Sequence, residues 1–79
     1  MVVPIDRVVP LGDSSSRYAV QRVKAVLEKQ GQIEPLQVYK FDEHYLVFHD
    51  DPWGNEIVYA ARELGWTTLL IQEMEKYER

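Results

Sequence analysis

Between residues 16 and 30, apolar side chains recur at steps of three and four: Ala19, Val20, Val23, Val26 and Leu27, with Gln30 closing the row. That spacing follows the 3.6-residue period and predicts an amphipathic helix with one apolar stripe. Arg17, Gln21, Arg22, Lys24, Glu28 and Lys29 fill its polar side. Gly31 follows directly, where a helix commonly ends in the left-handed conformation. Such a helix must bury its stripe against another element, so what flanks it decides the fold.

The flanks read as sheet. Residues 2–10 are rich in β-branched side chains and bracketed by Pro4 and Pro10, which predicts a short strand at a sheet edge, since proline cannot donate to a ladder. Residues 12–16 form a loop with several candidate helix caps. Residues 36–41 alternate like a half-buried strand, and residues 44–48 form a continuous apolar run expected to be covered on both faces. Asp42 and Glu43 join them as a hairpin. After the polar loop from His49 to Gly54, in which Asp50 or Asp51 is placed to cap a helix, residues 55–64 form a second helix. Ile57, Val58, Ala60, Ala61 and Leu64 point inward and Gly65 closes it. Residues 66–71 are a last strand, with Trp66 in the core, and residues 73–79 add a solvated turn. The order is β-α-β-β-α-β, one α+β domain over residues 1–79.

Composition limits the chemistry. The 79 residues include no cysteine, which removes disulfides, thiolate nucleophiles and cysteine-based zinc sites together. A small domain without such staples fits the reducing cytoplasm, and neither a signal-peptide pattern nor an apolar run of about 20 residues is present. A soluble cytoplasmic domain without membrane contact is therefore expected. The net charge of −4 argues against phosphate-backbone binding by the whole surface.

Candidate constellations divide into weak and stronger ones. His44, His49, Asp50, Asp51 and Glu56 carry metal-ligand chemistry, but no metal-site spacing is present, and a capped surface loop accounts for them. No metal site is expected. Ser14, Ser15 and Ser16 lack the glycine elbow of a catalytic serine and read as caps. No catalytic residue is assigned. Arg17, Arg22, Lys24 and Lys29, with Tyr18 among them, make the first helix basic. This is a candidate nucleic-acid face, although most such helices are ordinary solvated surface. Trp53, between Pro52 and Gly54, is the preferred anchor for a protein partner, weighed against a fold in which it covers the helix start.

Four segments in order resemble the ParB N-terminal domain and sulfiredoxin group: residues 5–10 (IDRVVP), 30–38 (QGQIEPLQV), 45–47 (YLV) and 60–65 (AARELG). Together they span nearly the whole chain. The resemblance implies one mixed sheet packed by two helices, with a ligand pocket between residues 31–35 and the loop from His49 to Glu56. It also locates the departures. Nucleotide-binding members carry a Gly-x-x-Arg turn six residues before the Ala-Ala pair. Here that place reads Gly54, Asn55, Glu56, Ile57, so the glycine stays and the arginines are gone. The glutamine often found before the proline is Glu34, and sulfiredoxin's catalytic cysteine has no counterpart.

An arginine at this turn would grip phosphate through paired charged hydrogen bonds. A carboxylate at about 6 Å, with an effective dielectric near 20, instead costs each unit of phosphate charge on the order of 3 kcal/mol. Contacts to a helix N-terminus, worth up to about 2 kcal/mol, do not offset that. CTP and ATP are thus expected to bind poorly, and no cofactor is assigned. The leading expectation is a non-catalytic binding module whose acidic former nucleotide pocket takes a protein partner. Glu34, His49, Asp50, Asp51, Trp53, Gly54, Asn55 and Glu56 would form that site. Two alternatives stand: a nucleotide-dependent enzyme or ParB-like nuclease with rearranged side chains, and a DNA-associated, partition-like accessory factor using the basic first helix.

Overall fold

The computed structural model describes residues 1–10, 16–32, 34–48 and 53–74. Its elements are β1 (Val2–Pro4), a 3-10 turn (Ile5–Arg7), β2 (Val8–Val9), α1 (Arg17–Gln30), β3 (Leu36–Phe41), β4 (His44–Val47), α2 (Gly54–Glu63) and β5 (Thr68–Glu73). The strands form one mixed sheet in the order β1-β5-β3-β4-β2. β1 runs antiparallel to β5, β5 parallel to β3, β3 antiparallel to β4, and β4 parallel to β2.

The proline-bracketed run is therefore two strands where the pattern predicts one. After Pro4 the chain turns at Ile5–Arg7, and the two halves pair at opposite edges. This has a geometric consequence. Four residue steps from Pro4 to Val8 reach at most about 14 Å, whereas a flat five-stranded sheet holds its edge strands about 19 Å apart. The sheet must curl so that its edges approach. Ile5, only 6% exposed, lies in the core at this junction, and its N–H donates to the Thr67 carbonyl at 2.9 Å.

α1 begins where the periodicity places it. Ser16 is the cap, its hydroxyl accepting from the Ala19 N–H at 3.3 Å. The buried stripe is narrower than the pattern suggests: Val20 and Leu27 are buried and Val23 packs against them, while Val26 is 45% exposed. Gly31 ends the helix at φ 75°, ψ −171°, a region essentially reserved for glycine.

α2 starts at Gly54, and Trp53 occupies its cap position without a side-chain cap bond, in place of the aspartate expected there. At its other end Gly65, with φ 81°, donates to the Arg62 carbonyl at 3.1 Å, and the Trp66 N–H donates to Ala61 at 3.0 Å. This paired closure is a Schellman motif. It absorbs Trp66, which packs half-buried against the core, so the last strand begins two residues later than residue 66.

The hairpin falls where expected, with Asp42 in the left-handed region at φ 56°. β4 is not covered on both faces. Tyr45 and Val47 are buried, but His44 is exposed and Leu46 half-buried. Register places Val2, Pro4, Val9, Gln37, Tyr39, Phe41, His44, Leu46, Thr68, Leu70 and Gln72 together on the face turned from the core. No Asp, Glu, Lys or Arg stands among them. The opposite face meets the helices through Val8, Leu36, Val38, Leu69, Ile71 and Val58 of α2, all fully buried. No polar or charged residue is buried among the described residues, and no described helix is long and apolar enough to cross a membrane. Of the expected tail turn, Glu73 belongs to β5 and the Met74 N–H donates to Val38; residues 75–79, like Ser14 and Ser15, lie outside the described residues.

Candidate binding groove between the two helices

The end of α1 lies beside the start of α2, and a cavity of about 450 Å³ opens between them. Val23, Val26 and Leu27 of α1 line one wall, Trp53 and Ile57 the other. Gly31, Gln32 and Glu34 border it, and Arg22 supplies a cation. Two of its apolar residues, Val26 and Trp53, are 45% and 53% exposed, so the walls are open to a ligand.

Gln32 holds this border in place. Its side-chain oxygen accepts from the Leu70 N–H at 2.8 Å, and its Nε2 donates to the Leu70 carbonyl at 2.7 Å. One amide thereby occupies both backbone groups of a β5 residue, on the edge where β3 pairs two residues later. Nε2 also donates to the Glu34 carbonyl at 3.2 Å. The segment after α1 is thus tied to the sheet, which fixes Gly31 and Glu34 at the mouth of the groove.

The pocket foreseen from sequence is partly this one. Glu34 and Trp53 line it; Gly54, Asn55 and Glu56 stand in the first turn of α2 and are not among its lining residues. Gly54 is buried, Asn55 and Glu56 half-buried. His49, Asp50 and Asp51 lie outside the described residues. Among the described residues the lining is mainly apolar, with Glu34 and Arg22 as its charged members. Trp53 does not close over the helix start as a buried lid.

The basic set on α1 is divided by its contacts. Arg17 and Lys24 both reach Glu63 of α2, at 2.6 Å and 3.4 Å. The hydrogen bond from Arg17, reinforced by Lys24, holds the Glu63 carboxyl below its usual value against a smaller opposing effect of desolvation. Arg22 sits 5.8 Å from the centre of the Tyr18 ring and faces the groove. Lys29 is exposed near the helix end. His44 is on the outer sheet face, and no cluster of three metal-ligating side chains occurs among the described residues. Sequence reasoning missed Gln32, because an amide two residues past a helix carries no periodic signal. It also missed the α1 wall, since Val23 and Val26 read as core in the stripe.

No family model matches the chain, and no curated protein matches it. Three solved structures superpose over nearly its whole length. Sulfiredoxin from Arabidopsis thaliana aligns with a TM-score of 0.76 and 20% identity, covering 96% of this chain and 86% of that one. C-terminally truncated SbnI from Staphylococcus aureus gives 0.80 and 19%, covering 96% of this chain but 30% of that one. The C-terminally truncated chromosome-partitioning protein ParB from Caulobacter crescentus, complexed to the centromeric parS site, gives 0.75 and 17%, covering 99% of this chain and 40% of that one. At these identities the likeness concerns architecture alone: the chain has the ParB/sulfiredoxin-like fold.

Proposed function

We propose that this domain is a non-catalytic binding module that receives an apolar side chain of a protein partner in the groove between α1 and the start of α2. The observation that carries this reading is the pairing of exposed Val26 with exposed Trp53 across a cavity of about 450 Å³. Ligand pockets of several hundred Å³ with mainly apolar walls and few polar groups are the common form of binding sites, and large aromatic residues anchor interfaces disproportionately. Glu34 and Glu56, which stand where similar domains place glutamine and arginine, direct the preference away from phosphate. The residues proposed for contact are Glu34, Trp53, Arg22 and Val26, together with His49, Asp50, Asp51, Gly54, Asn55 and Glu56, which the sequence alone nominates.

Affinity capture from a cytoplasmic extract, comparing the unaltered domain with Trp53→Ala and Val26→Glu, tests the site. Both changes should reduce the captured partner at least tenfold. Phe41→Glu, on the outer sheet face, should not. Capture indifferent to both groove variants would end this reading.

A second reading has one observation in its favour. Arg22 lines the cavity from α1, so a cation absent from the helix start is supplied from the facing wall. Under that reading the domain is a nucleotide-dependent enzyme with rearranged side chains, and ATP or CTP binding abolished by Arg22→Ala would support it. The DNA-accessory alternative is weakened because Arg17 and Lys24 are engaged by Glu63.

A further inference from the structure

We draw no further inference here: the strongest candidate, the uncharged outer face of the sheet around Tyr39, Phe41, Leu46 and Leu70, is an unpartnered apolar face, and nothing in the structure shows what covers it.

Discussion

At the scale of single residues, one amide and one carboxylate organise more than their neighbours do. Gln32 satisfies both backbone groups of Leu70, so Gln32→Ala leaves that N–H and carbonyl without their partner. A hydrogen-bonded group stripped of its partner costs about 1–3 kcal/mol, and urea unfolding should register a loss in that range. Amide exchange at Leu70 should quicken as well. Glu63 provides a pH signature. Its carboxyl is held below the usual 4.5 by Arg17 first and Lys24 second. A lowered carboxylate pKa stabilises the fold above the unfolded value, and the effect is lost as pH falls through the folded one. Carbon-detected titration of Glu63 should therefore show its pKa rising toward 4.5 in Arg17→Met, and by less in Lys24→Met. The contribution is small because the pair is exposed. Neither residue was legible beforehand: Gln32 and Glu63 act across 38 and 46 positions of sequence, and no local pattern encodes such a contact.

The elements themselves were largely legible, and their ends show where local rules stop. The α1 stripe and its cap follow from period and from Ser16, and the 36–41 strand is met residue for residue. What failed did so for tertiary or closing-motif reasons. The turn at Ile5–Arg7 divides a run whose β-branched content favours strand throughout. The Schellman closure draws Trp66 out of β5. Two glycines make a clean test of the closing motifs. At Gly31 and Gly65 an added Cβ would meet nothing within 4 Å, yet φ is +75° and +81°. The cost of alanine is then backbone strain alone, about 1–3 kcal/mol, which corresponds to a Tm lower by at least about 4 °C in a domain of this size. D-alanine at Gly31, introduced by chemical synthesis, favours positive φ and should leave Tm unchanged or raised. A loss with D-alanine as large as with L-alanine would refute the strain account.

Across the whole molecule, charge and apolar surface are segregated. Among the described residues the outer sheet face carries no Asp, Glu, Lys or Arg, while the helical side carries the α1 cations, Glu63, Glu34 and the groove. Curling of the sheet and antiparallel packing of the helices bring residue 53 beside residues 22–34, a neighbourhood that periodicity cannot reveal but that the resemblance to ParB and sulfiredoxin domains had implied. The resemblance supplied the fold. It did not supply the α1 wall of the groove, formed by Val23, Val26 and Leu27. The account rests on that groove serving an apolar segment rather than a triphosphate. Titrating isotope-labelled domain with CTP and with ATP in the presence of magnesium, while following the amides of Arg22, Gly54 and Asn55, tests it most directly. The account predicts no saturable shift up to millimolar nucleotide. Saturation at those amides with Kd below about 100 µM, a binding free energy beyond about −5.5 kcal/mol, would contradict it.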